Sequence, residues 1–210
     1  MAEQRTEEWF AERIGKATGS RIADIVRKTG SGGPAASRKN YLAQLICERL
    51  TGNREEGFQS AAMAWGTETE PQARTTYEFF RDAEVCETGF VPHPRISESG
   101  ASPDGLVGMD GLVEIKCPNT ATHLETLRTC RIAPDYIIQM QWQMACTDRS
   151  WCDFVSFDPR LPAAMQMFCK RVDRDDERIA TLESEVEDFL GELHAAVSDL
   201  KSRYGQAAAA

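Results

Sequence analysis

What this chain lacks narrows it first. No apolar run approaches the length of a membrane-spanning helix. The first residues, Met1-Ala2-Glu3-Gln4-Arg5-Thr6-Glu7-Glu8, are too charged for a secretory signal. The seven cysteines are an odd number, and no Cys-x-x-Cys pair occurs among them. That argues against structural zinc and iron–sulfur clusters and for reduced intracellular thiols. There is no internal repeat. Positive charge is also short: 24 Lys and Arg face 33 Asp and Glu, a net charge of −9. Spread evenly, that deficit would argue against a polyanionic partner. It is not spread evenly. Residues 173 to 199 hold ten acids and two bases, which is −8 of the −9. The remaining body is near neutral and permits a local basic groove.

What is present is ordinary for a globular protein: 41% hydrophobic and 27% charged over 210 residues. That length fits one domain over residues 1–206, with the alanines at 207–210 as a disordered tail.

The most informative stretch is Ser102-Pro103-Asp104-Gly105 followed by Glu114-Ile115-Lys116. The first four are turn residues: proline presets φ, aspartate caps, and glycine tolerates positive φ. Leu106 and Val107 begin a strand. Gly108-Met109-Asp110-Gly111 turns, and Leu112–Cys117 is a second strand that Pro118 stops. Side chains alternate along it, so Val113, Ile115 and Cys117 form an apolar face for a core. Leu112, Glu114 and Lys116 share the other face. The hairpin brings Asp104 close to Glu114, and two converging carboxylates make a hard oxygen site suited to Mg²⁺. Lys116 beside them suits a compact charge that orients a water or stabilises a phosphate. Pro-Asp with a nearby Glu-x-Lys arises by chance in roughly one chain in twenty, so context must carry the reading.

The context runs along the whole chain. Thr6 reads as the cap of a helix carrying Trp9, Phe10 and Arg13, ended by Gly15. Trp9 and Phe10 read as core; Arg13 is a surface charge or a phosphate ligand. Ser20 reads as the cap of a helix from Arg21 to about Lys28, although Thr18, Ser20 and a helix N-terminus also suit a phosphate. Residues 29–37 form a loop, and a helix spans about Asn40 to Leu50. Another helical region runs from Ser60 to about Arg81, with Pro71 opening a new segment and Phe79 and Phe80 packed. Glu68 and Glu70 point to different sides, so only one faces the hairpin. Glu84–Val91 reads as a strand, Thr120–Thr129 as a helix, and Pro134 to about Cys146 as another. On that last helix Gln139 and Gln143 are i, i+4 neighbours that need partners if buried, with Gln141 on another side. Trp151–Phe157 and Ala164–Val172 read as strands. The final helix, Asp175–Tyr204, sets an apolar stripe under an acidic face.

Taken together, these residues resemble the PD-(D/E)xK nucleases, in particular the phage-type exonucleases related to lambda exonuclease, the YqaJ-type viral recombinases. Five ordered matches carry the resemblance: Trp9…Arg13-Ile14-Gly15…Thr18-Gly19-Ser20, Trp65-Gly66-x-x-x-Glu70, the hairpin, Gln139-x-Gln141, and Phe157-Asp158-Pro159-Arg160. The resemblance implies an α/β fold with a central mixed sheet flanked by helices and a long C-terminal helix. It implies a 5′→3′ exonuclease on linear double-stranded DNA. Mg²⁺, with Mn²⁺ as a substitute, would be held by Glu70, Asp104, Glu114 and the Ile115 carbonyl. Lys116 would position or deprotonate the attacking water, and Gln139 would hold that water or a phosphate. Arg13, Thr18 and Ser20 would bind the 5′-phosphate of the end, Gln141 would contact DNA, and Met63 would wedge the terminal base pairs. It further implies a homotrimeric ring with the acidic helix outside, a single-strand annealing protein as partner, and the cytoplasm of a bacterial host carrying a phage or prophage. The alternatives are an endonuclease on the same core and a catalytically inactive DNA-binding scaffold.

Overall fold

The computed structural model describes residues 2–55 and 60–205. The alanine tail expected at 207–210 lies outside the described residues. Seven helices and eight strands follow in order among them. The chain opens with α1 (Glu7–Arg13), which Thr6 caps by accepting from the Trp9 N–H at 3.3 Å. Then come β1 (Ala17–Thr18), a 3₁₀ turn (Gly19–Arg21) and α2 (Ile22–Val26). Ser20 therefore lies inside a 3₁₀ turn and is exposed, and no side chain caps either element. The next helix, α3 (Ala36–Thr51), starts one turn earlier than its apolar stripe predicts.

Helix α4 (Ala61–Arg81) is continuous through Pro71. Its buried residues Thr69, Ala73 and Tyr77 are spaced by fours across the proline, so one packed stripe offsets the lost hydrogen bond. The expected strand at 84–91 is instead β2 (Val85–Cys86) and β3 (Val91–Pro92), which join different sheets. Next come β4 (Ser99–Ala101), β5 (Gly105–Val107), β6 (Gly111–Lys116), α5 (Thr120–Thr129), α6 (Pro134–Thr147), β7 (Trp151–Phe157), a 3₁₀ turn (Ala163–Met165), β8 (Met167–Asp173) and α7 (Asp176–Tyr204).

The main sheet has the order β2-β5-β6-β7-β8, with β6 and β7 parallel and the other pairs antiparallel. A small sheet, β1-β4-β3, stands beside it. Ala73 and Tyr77 of α4 cover one face of the main sheet, against Val113, Ile115 and Cys117. Met140 and Met144 of α6 cover the other, against Leu112, Cys152 and Phe154. The face of β6 that carries Glu114 is thus interior as well. Helix α7 lays Leu182, Val186, Phe189 and Leu193 on α2 and α3 of the same chain. Phe79 and Phe80 are not packed; they are 87% and 69% exposed at the end of α4.

Candidate active site

The β5–β6 hairpin pairs Gly105 with Val113 and Val107 with Gly111. Gly105 is required for space: a Cβ there would overlap the Val85 side chain on β2. Its φ is not positive, which corrects the turn argument made from the sequence; the residue with positive φ is Gly108, at 56°. Asp104 stands just before β5, where the ladder to β6 has ended. Its Oδ2 accepts the Ile115 N–H at 2.7 Å. A strand residue directs its N–H and C=O to the same edge, so the Ile115 carbonyl also faces the Asp104 side.

Glu114 is fully buried. Gln139 Nε2 donates to its Oε1 at 2.7 Å, and Gln143 Nε2 donates to its Oε2 at 2.6 Å. The partners that the paired glutamines of α6 need are therefore the two oxygens of one carboxylate. Lys116 Nζ completes the cluster with an ion pair to Glu114 Oε1, and lies 5.1 Å from the centre of the Tyr136 ring. Burial pushes Asp104 well above the usual carboxylate range, and the charges of Glu114 and Glu70 push the same way. Burial draws Lys116 down, but Glu114 and Asp104 overcome it and hold its ammonium above the ordinary value. Cys117, next along, is raised to about 12 by burial, which makes it an inert thiol.

Glu70 comes to this end of the sheet on α4, while Glu68 is exposed. Its Oε2 accepts from Arg5 Nη2 at 2.6 Å and its Oε1 from Arg74 Nη2 at 3.1 Å. The donor set of Glu70, Asp104, Glu114 and the Ile115 carbonyl is all oxygen, and three carboxylates converging on one end of the sheet suit a divalent cation. Among the described residues no three acidic, histidine or cysteine side chains already form a closed metal cage. Glu70 is turned to its two arginines, and Glu114 to Lys116 and the glutamines. The chemistry fits a hard cation, which would compete with these partners for the carboxylate oxygens.

Arg13, Thr18, Ser20 and Met63 line one pocket of 530 Å³, together with Phe10, Lys16, Arg21, Tyr41, Arg54 and others. Met63 is 59% exposed, so it is not a core methionine. Arg21 rests on the Tyr41 ring at 4.3 Å but is paired with Asp24; three further cations of this pocket rest on aromatic rings: Arg13 on Trp9 at 3.9 Å, Arg54 on Phe10 at 3.8 Å and Lys16 on Phe90 at 5.3 Å. None of the three has a carboxylate ion-pair partner among the described residues. Burial draws Arg13 down to about 10, with the charge of Arg54 adding to it, so it stays cationic at neutral pH. The pocket's acids include Glu48, which is spent on the Gly15 N–H at 2.8 Å and on Gln44 at 2.9 Å.

Ser102 ties Arg13 of this pocket to the segment that leads into Asp104. Its Oγ accepts from Trp9 Nε1 at 2.9 Å and from Arg13 Nη1 at 3.1 Å. Both lone pairs are then used, and its own proton remains for an anion. From the sequence Ser102 reads only as a turn residue, and neither Lys16 nor Arg54 stands out. Their signal, cations spaced around aromatics, is legible only once α1 and α3 are placed. The structure does not bring Gln141 to either site. It is 2% exposed, donates to the Asp173 carbonyl at 2.8 Å and accepts from the Asp175 N–H at 2.9 Å, pinning β8 to α7.

No described helix is long and apolar enough to cross a membrane. A comparison with curated proteins finds no match. Solved structures do match. An alkaline exonuclease from Laribacter hongkongensis, LHK-Exo, is 56% identical, with a TM-score of 0.90 over 96% of this chain and 99% of that one. The same figures hold for LHK-Exo in complex with dAMP. A phage-related exonuclease from Haemophilus somnus 129PT shares the fold, at 16% identity and a TM-score of 0.70 over 88% of this chain and 96% of that one. The fold is the PD-(D/E)xK nuclease core with its mixed sheet, flanking helices and long C-terminal helix. The family model for the YqaJ-like viral recombinase domain matches residues 8–150, and the chain belongs to that family.

Proposed function

We propose that this nuclease is a metal-dependent 5′→3′ exonuclease that degrades one strand of linear double-stranded DNA from a 5′-phosphorylated end. The observation that carries the reading is the join at Ser102. A pocket with three cations free of carboxylates is tied by the Arg13–Ser102 hydrogen bond to the chain two residues before Asp104 of the carboxylate–lysine cluster. An end-holding pocket beside a cutting site suits removal of terminal nucleotides. The dAMP held by the 56% identical relative is the type of product such removal releases.

Glu70, Asp104, Glu114 and the Ile115 carbonyl would hold Mg²⁺ or Mn²⁺, which supplies Lewis-acid stabilisation of phosphodiester hydrolysis and an activated water. The chain's own groups do the rest. Gln139 and Gln143 fix the Glu114 carboxylate in one orientation. Lys116, held between Glu114 and the Tyr136 ring, positions the attacking water by donating to it. Arg13, Ser102, Lys16 and Arg54 would hold the terminal phosphate, with exposed Ser20 and buried Thr18 also lining the pocket. Met63, exposed on the lining of that pocket, would wedge the terminal pairs. The resulting 3′ overhang would pass to a single-strand annealing protein, and the chain would act as a ring of three copies.

The test is digestion, with Mg²⁺, of a linear duplex carrying a 5′-phosphate on one strand and a 5′-hydroxyl on the other, beside a closed circle. Selective loss of the phosphorylated strand with the circle intact is expected. Cutting of the circle would assign an endonuclease instead, and no cutting would assign a DNA-binding scaffold. Light scattering of the purified chain checks the trimer.

A further inference from the structure

Glu70 is the one carboxylate of the cluster that guanidinium groups hold. Arg74 reaches it from the next turn of α4 and is shared with Glu87. Arg5 reaches it from outside the helix, Nη2 to Oε2 at 2.6 Å. The backbone of Arg5 is set for this contact. Its φ is 71°, a left-handed region that a non-glycine residue seldom adopts. The residues on both sides hold it there. Gln4 Nε2 donates to the Thr88 carbonyl at 2.9 Å and to the Pro103 carbonyl at 2.8 Å, next to Asp104. Thr6 caps α1. The Arg5 side chain is 47% exposed and that of Glu70 only 14%, so the guanidinium covers the carboxylate on its solvent side.

Resting on the reading of these carboxylates as a metal site, we propose that Arg5 is a positioning residue for Glu70. It holds that carboxylate as a stand-in for cationic charge and releases it when a divalent ion arrives. Both Glu70 oxygens are engaged by guanidinium groups. An ion that takes an oxygen from Arg5 must break that pair and tolerate a like charge beside it. Arg5 and the ion therefore compete for one carboxylate, and Arg5 sets the affinity of the site.

Mn²⁺ binding to the full chain without DNA, followed by electron paramagnetic resonance, tests this directly. Arg5→Ala is expected to bind Mn²⁺ about three- to five-fold tighter than the parent, the scale of one half-exposed ion pair. Arg5→Lys should fall between them. Gln4→Ala, which unpins the arm without touching a carboxylate, should shift affinity the same way by less. Equal or weaker binding by Arg5→Ala overturns the competition, and a fall in Tm with unchanged affinity does the same by reducing Arg5 to a structural contact. A parent chain that binds no Mn²⁺, or binds it equally after Glu114→Gln and Asp104→Asn, overturns the metal site and the competition together.

Discussion

The pair of amides on Glu114 makes a quantitative prediction. Gln143 is 1% exposed and Glu114 not at all. Gln143→Met keeps the length and volume of the side chain, so the packing change is small. It removes one donor to a buried carboxylate oxygen, which water has no path to replace, together with an amide oxygen that has no partner among the described residues. A hydrogen bond to a charged group contributes about 1.5–3 kcal/mol, so the variant should lose about 2 kcal/mol. For a chain of this length that is a fall of roughly 4–8 °C in Tm. Gln139→Met removes the other donor, also at a close distance, 2.7 Å. But Gln139 is half-buried, and both solvent and Lys116 can serve the oxygen it leaves. Its loss should be about 0.5–1 kcal/mol, with the larger effect falling on cleavage. Urea unfolding of the parent and both variants, with thermal melts in parallel, measures the difference. A Gln143→Met protein as stable as Gln139→Met would refute the claim that burial, and not merely hydrogen bonding, makes the Glu114 oxygens unequal.

Other substitutions separate the parts of the site. Lys116→Ala should keep fold and DNA binding yet lose at least about 100-fold in cleavage rate, which a single-turnover digest reads; retained cleavage would give the lysine another role. Arg13→Ala should cut the preference for 5′-phosphorylated over 5′-hydroxyl ends by about ten-fold, measured by competition between two labelled duplexes; equal loss on both would make Arg13 a general contact. Gly105→Ala should destabilise by about 1–3 kcal/mol through overlap with Val85, and Val85→Ala should restore part of it; no rescue in the urea midpoints would point to backbone strain instead. The side-chain hydrogen bonds from Arg160 hold Asp158 down to about 2 from an ordinary 3.8. A depressed carboxylate stabilises above its unfolded pKa and loses that contribution as pH falls through its folded one. The stability gap between the parent and Asp158→Asn should therefore be constant above about pH 4 and close towards pH 2, and urea midpoints across that range check it.

The elements that could be read from the sequence are those whose ends are set by local chemistry. Pro118 stops one strand before α5, and Pro134 opens α6. The turn around Gly108 fixes the hairpin, and the spacing of apolar residues fixes α7. What could not be read depends on contacts from elsewhere in the chain. Alternation along β6 correctly separated Val113, Ile115 and Cys117 from Glu114, but alternation cannot say that α6 covers the second face. Pro71 reads as a helix start until the buried stripe of Thr69, Ala73 and Tyr77 is laid on the sheet. Ser20 reads as a cap because its residue type caps helices, yet the 3₁₀ turn leaves it at the rim of a pocket. Gln141 shows the limit of carrying a role over by motif: its neighbours at 139 and 143 meet Glu114, while its own side of the helix meets the β8–α7 junction.

The net charge of −9 and a polyanionic substrate are reconciled by position. On α7, the acids Glu185 and Glu192 take Lys28 and Arg38 as partners, and Glu183 takes Arg95. Exposed Glu187 and Asp188 lie outside the stripe that Phe189 shares with Val186 and Leu193. Tyr41 stands between the two regions: it lines the Arg13 pocket on one side and stacks on Phe189 at 5.7 Å on the other. A helix is about 10 Å across, comparable to the screening length of about 8 Å at physiological salt. The acids on the far side of α7 are therefore largely screened from the pocket. Inside it, Arg13, Lys16 and Arg54 are held on Trp9, Phe90 and Phe10 instead of on carboxylates. A ring face attracts a cation without neutralising it, so the pocket presents ordered positive charge that a terminal phosphate can take up without first displacing a carboxylate from those three cations.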